Sequence, residues 1–99
     1  MREHIEKAAS RFDRANPQVW RLFRAYTLRA IESGKRRIGA KMVWERIRWY
    51  AEIETDEECP KLNNNYTAYY ARKWQRTYPG MASIFATREA ASTVQGGAE

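Results

Sequence analysis

AKMVWERIRWYAEI, residues 40–53, decides how this chain folds. Projected onto a helix at about 100° per residue, Lys41, Glu45, Arg48 and Glu52 fall on one narrow polar stripe. Most of the remaining circumference is apolar or aromatic: Met42, Val43, Trp44, Ile47, Trp49, Tyr50, Ala51 and Ile53, with Arg46 the exception. A helix this apolar around its girth belongs at the centre of a small fold or in an interface. The stripe sets Lys41 four residues before Glu45 and Arg48 four before Glu52, so it can neutralise itself. Trp44 and Trp49 lie roughly 140° apart on the wheel. One core is not expected to hold both, so one of them is a candidate interface anchor.

Working outward toward the N-terminus, GKRRIG (residues 34–39) is a linker, and Gly34 is positioned as the C-cap glycine of a preceding helix. That helix carries Val19, Leu22, Phe23, Tyr26, Ala30 and Ile31 as its apolar stripe and Arg21, Arg24 and Arg29 elsewhere. It begins at Asn16-Pro17, a capping residue followed by proline at the first helical position. Before it, Ile5, Ala8, Ala9 and Phe12 predict a first helix over residues 1–14. Toward the C-terminus, the acidic segment closing on Cys59-Pro60 reads as a loop, because the proline disfavours helical geometry at Cys59. A fourth helix follows, capped by one of Asn63, Asn64 or Asn65 and ending near Tyr78-Pro79-Gly80; a short fifth places Met81, Ile84 and Phe85 on one side. The expectation is an all-α, compact single domain of four to five helices over residues 1–88, packed around the third. Its third and fourth helices are arranged in helix-turn-helix-like fashion, and residues 89–99 form a flexible, small and polar tail.

The chain has 99 residues and a net charge of +6. Its single cysteine, Cys59, cannot bridge internally, which points to a reducing, cytoplasmic compartment. The first ten residues are charged and carry no signal-like apolar region, and no run approaches the roughly 20 apolar residues of a membrane span. Charge is segregated. Residues 1–51 sum to +8, residues 52–58 (EIETDEE) to −5, residues 59–88 to +5 and the tail to −2. A strongly basic body draws polyanions or an acidic protein surface through its long-range field.

The stretch KLNNNYTAYYARKWQRTYP, residues 61–79, gathers amides, aromatics and cations without an acid. On the helical wheel Tyr66, Tyr70 and Trp74 form a core face with Thr67 and Ala71. Asn65, Tyr69, Arg72 and Arg76, flanked by Lys73 and Gln75, stand opposite. Arg reads guanine edges and Asn or Gln adenine edges in bidentate fashion, Arg and Lys hold phosphates, and Tyr stacks on unpaired bases. Asn65, Tyr69, Arg72, Lys73 and Arg76 are therefore candidate nucleic-acid contacts. Lys35, Arg36, Arg37 and Lys41 form a second basic cluster suited to phosphates. The acidic run has to point away from any phosphate backbone bound there.

Nothing in the chain assembles an enzyme. His4 is the only histidine, and neither a zinc ligand set nor a Ser-His or Cys-His pair can be built from it. There is no P-loop or GxGxxG, and EIETDEE lacks the glycine and spacing of an EF-hand. No second carboxylate pairs by spacing with Glu45 and Arg48. The expectation is a binding protein with no catalytic residues, no metal and no cofactor.

Three segments together, FDRANPQVW (residues 12–20), IGAKMVWERIRW (38–49) and KLNNNYTAYYAR (61–72), resemble a family of small uncharacterised phage and prophage proteins. The resemblance spans roughly residues 12–88. The family pattern falls on Lys41, Met42, Glu45, Arg48 and Trp49, and on Asn64, Asn65, Tyr66, Tyr70, Ala71 and Arg72. This chain departs from it with Ala40 between Gly39 and Lys41, and its acidic loop has no counterpart in the pattern. The resemblance implies a phage accessory protein acting in the cytoplasm of a bacterial host. Such a protein either binds nucleic acid, DNA foremost, or docks on an acidic surface of a host defence or regulatory protein, as an anti-CRISPR-like inhibitor does. Homodimerisation through the third helix is compatible with both.

Overall fold

Asn16-Pro17 divides the N-terminal helical run in two. In the computed structural model, which describes residues 2–85, α1 spans Arg2–Ala15 and α2 spans Pro17–Glu32. Proline takes the first position of α2, where its missing N–H costs nothing. The Asn16 side chain does not cap α2; its Nδ2 donates back to the Phe12 carbonyl at 3.0 Å and ties off α1 instead.

The end of α2 is a Schellman turn. Gly34 N–H donates to Ile31 O at 3.0 Å and Lys35 N–H to Ala30 O at 3.2 Å. Gly34 sits at φ 101°, the left-handed region that glycine enters without a Cβ penalty. The chain reverses here into the exposed Lys35-Arg36-Arg37 loop and on to α3, Ala40–Trp49.

The third helix was expected to run in α geometry to Ile53. It leaves that geometry at Trp49 and continues as a wider π turn over Tyr50–Glu54. The widening suits Glu54, five residues after Trp49, which is the π repeat. Its carboxylate accepts from Trp49 Nε1 at 3.0 Å and from Arg46 Nη2 at 3.0 Å. The spacing-based Arg48–Glu52 pair does not form. Arg48 Nη1 pairs with Glu45 at 2.7 Å, and its Nη2 donates to the Leu62 carbonyl at 3.0 Å and to Asn64 Oδ1 at 2.7 Å. Arg48 thus fastens α3 to the approach of α4.

Asn63 is the cap among the three asparagines. Its Oδ1 accepts from Asn65 N–H at 2.8 Å, starting a 3₁₀ turn over Asn64–Tyr66 that feeds α4, Thr67–Thr77. Helices α3 and α4 pack on one another, joined by the π turn and an irregular stretch (residues 50–66) where a helix-turn-helix has three or four residues. After α4, the expected short helix is a 3₁₀ segment, Pro79–Ile84, broken at Met81 (φ −123°, ψ 22°). It folds back because Trp74 Nε1 and Gln75 Nε2 donate to the carbonyls of Met81 (3.0 Å) and Phe85 (3.1 Å). Ile38 and Phe85 then form a single parallel bridge, with Ile38 N–H donating to Ile84 O at 2.9 Å.

The core is aromatic. Tyr70 is buried among Trp44 (ring centroids 5.0 Å), Phe23 (5.6 Å) and Trp20 (6.3 Å), and Phe85 closes on Phe23 at 5.4 Å. Val19, Ile38, Val43, Ile47, Leu62, Ala71, Trp74 and Ile84 complete it. Such rings supply most of the apolar burial available to a chain this short. The all-α expectation holds. The boundary at Arg88 and the tail of residues 89–99 lie outside the described residues.

Candidate nucleic-acid interface

The face of α4 that the sequence marks for contact is not open. Helix α1 lies across it. Asp13, buried at 6% exposure, accepts from the Tyr69 hydroxyl at 2.8 Å and from Lys73 Nζ. Lys73 also stands 4.7 Å over the Trp20 ring. Arg72 is ion-paired with Glu6. Of the five candidates, Tyr69, Arg72 and Lys73 are therefore bonded within the fold, and Asn65 and Arg76 are exposed. Gln75, which flanks them on the wheel, is used on the carbonyls of the 3₁₀ segment.

Sequence reasoning missed Glu6 and Asp13. The signal was present: Asp13 follows Ile5 and Ala9 at four-residue steps, so an acid stands on the apolar register of α1. A buried acid requires a partner, and α4 supplies two. Burial first, then the bond to Asp13, raises the Tyr69 pKa above its ordinary value.

The second cluster is in a different state. Lys35, Arg36, Arg37 and Lys41 are all exposed, and among the described residues none of them takes part in an ion pair. Exposed Arg29 joins them from the last turn of α2. The segment from Arg21 to Lys41 carries seven cations against one acid, Glu32. Beside this loop, α2 and α3 enclose a shallow groove of about 310 Å³, with Tyr26, Ala30, Ile38, Met42 and Val43 as its walls and Arg29 and Arg46 on its rim. The Arg46 guanidinium lies 4.6 Å from the Tyr26 ring centroid. The acidic run begins past the opposite end of α3, so the helix separates it from the basic loop by about 15 Å. That is close to two Debye lengths at physiological salt, so EIETDEE does not cancel the field of the loop.

Trp44 and Trp49 divide as their angular separation predicts. Trp44 is fully buried, whereas Trp49 is 54% exposed, alongside Met42 and Ile53. Among the described residues no group of His, Cys, Asp and Glu side chains is placed to hold a metal ion, and no helix is long and apolar enough to cross a membrane. Compared with protein-family models, curated proteins and solved structures, the chain matches none.

Proposed function

We propose that this protein binds nucleic acid, DNA foremost, without catalysing a reaction, and that its phosphate contacts centre on the α2–α3 loop. The observation that carries this reading is the contrast in charge pairing. Arg46, Arg48, Arg72 and Lys73 are consumed by ion pairs inside the fold, while Lys35, Arg36, Arg37 and Lys41 remain exposed and unpaired among the described residues. Cations held in one loop beside a low-dielectric groove focus a positive potential that phosphates seek. Asn65 and Arg76 are the candidates of the α4 region that stay exposed; Tyr69, Arg72 and Lys73 are engaged with α1 and are not counted among the contacts. The resemblance to phage and prophage proteins would place such an activity in the cytoplasm of a bacterial host.

The test is fluorescence anisotropy of labelled duplex DNA, single-stranded DNA and RNA against the pure protein over a range of salt. Binding should weaken log-linearly as salt rises. Replacing Lys35, Arg36 and Arg37 by Ala should lower affinity for all sequences and shrink the salt slope by about 1 per lost phosphate contact. Arg72→Ala with Arg76→Ala should cost less. Equal binding by the folded loop variant would remove this surface from consideration.

A second reading rests on Trp49. A half-exposed tryptophan flanked by Met42 and Ile53 has the composition of an interaction hot spot, which suits an inhibitor seated on a host protein. A stoichiometric protein captured from nuclease-treated bacterial lysate would favour it.

A further inference from the structure

The exposed stripe of α3 has a pattern of its own. Met42, Trp49 and Ile53 are 56%, 54% and 62% exposed. Met42 and Trp49 are seven residues apart and so share one side of the helix; Ile53 is exposed in the π turn that continues it. Observed contacts join them. Arg46 lines the α2–α3 groove together with Met42, and Arg46 and Trp49 are both bonded to Glu54, the neighbour of Ile53. Two polar groups within the stripe have partners: the indole N–H on Glu54, and Arg46 Nη2 on Glu54 with the guanidinium beside the Tyr26 ring; Arg46 Nη1 is buried without a hydrogen bond. Met42, Trp49 and Ile53 present hydrocarbon and indole to solvent there, with exposed Glu45 and Glu54 beside them.

The two ends of the stripe carry opposite charge. Lys41 and, beyond it, Lys35, Arg36 and Arg37 stand at the Met42 end; Glu52, Asp56, Glu57 and Glu58 stand at the Ile53 end, and all eight are exposed. An apolar stripe with one basic and one acidic pole is complementary to itself when turned end over end. We propose that a second copy of this chain, running antiparallel, covers α3. A twofold axis near Ile47 and Arg48 sets Met42 against Ile53 of the second copy, the Arg46 stem against its Trp49, and the basic pole of each copy against the acidic pole of the other. That is a closed, isologous contact. From Met42 to Ile53 the stripe runs roughly 16 Å, which places the contact among small, transient interfaces. The inference goes beyond the nucleic-acid reading, and its test contains no nucleic acid, so either can fail without the other.

Sedimentation equilibrium of the nuclease-treated full chain should show mass rising from monomer to dimer with concentration. Trp49→Ala with Ile53→Ser, changing exposed positions only, should remain monomeric with an unchanged far-ultraviolet dichroism spectrum. A charge swap tests the direction. Lys35→Glu with Arg36→Glu and Arg37→Glu makes both poles acidic, and Asp56→Lys with Glu57→Lys and Glu58→Lys makes both basic. Each variant alone should stay monomeric, and an equimolar mixture should give a mixed dimer. A wild-type chain that remains monomeric at millimolar concentration, a dimer indifferent to Trp49→Ala with Ile53→Ser, or a mixture that does not associate would overturn the proposal. A monomer whose stripe instead captures a different protein would overturn it as well.

Discussion

Asp13 shows how one residue can redirect a functional reading. Its carboxylate is buried and gathers the Tyr69 hydroxyl and the Lys73 ammonium from α4. Removing it leaves both groups without their acceptor. Lys73 keeps 27% side-chain exposure and can turn to water, so the loss should fall short of the 3–5 kcal/mol of a fully buried broken pair. Asp13→Ala is expected to cost about 2 kcal/mol, read as a lowered urea midpoint at constant slope. No change in midpoint would mean that the α1–α4 bonds contribute nothing. The wheel placed Tyr66, Tyr70 and Trp74 inward correctly, because periodicity reports which face is apolar. It also set Tyr69, Arg72 and Lys73 outward, but not what lies across them. Which helix covers a polar face is a tertiary fact, and here the only local trace was an acid on the register of Ile5 and Ala9.

Among the elements, the turns were the most legible and the third helix the least. Gly34 was identified from its place after an apolar stripe, and it occupies the left-handed region of a Schellman turn. No atom would obstruct a Cβ there, so the penalty for Gly34→Ala is conformational alone, about 1 kcal/mol. A thermal melt should show a matching drop, whereas an unchanged or raised Tm would argue that the α2–α3 loop does not need this turn. Asn63 was one of three equivalent capping candidates. The sequence could not choose among them because Asn64 and Asn65 have the same chemistry, and only the position of Arg48 gives Asn64 a separate task. The exit of α3 into a π turn was hidden for a related reason: helical spacing assumes the α repeat, and the Glu54 contacts of Arg46 and Trp49 belong to a different one.

For the whole molecule, an aromatic core makes stability sensitive to alkali. Burial above all, with Asp13 adding to it, raises the pKa values of Tyr69 and Tyr70 above the ordinary 10.0. The unfolded chain therefore loses these protons first as pH climbs. The stabilisation is complete below the unfolded value and is lost as pH rises toward the folded ones. Urea midpoints should hold steady up to about pH 10 and decline above it. Tyr70→Phe should make that decline shallower, because its share of the linkage is gone. A decline of equal steepness in the variant would place the sensitivity elsewhere.

The opposed poles of α3 have a meaning for the molecule in motion. With cations gathered before Met42 and acids gathered after Ile53, the body is a small electric dipole lying along its central helix. In the field of a distant polyanion such a body feels a torque before it feels a contact. It would arrive already turned, loop foremost and acids trailing. A molecule with the same net charge spread evenly would have to find that attitude by tumbling.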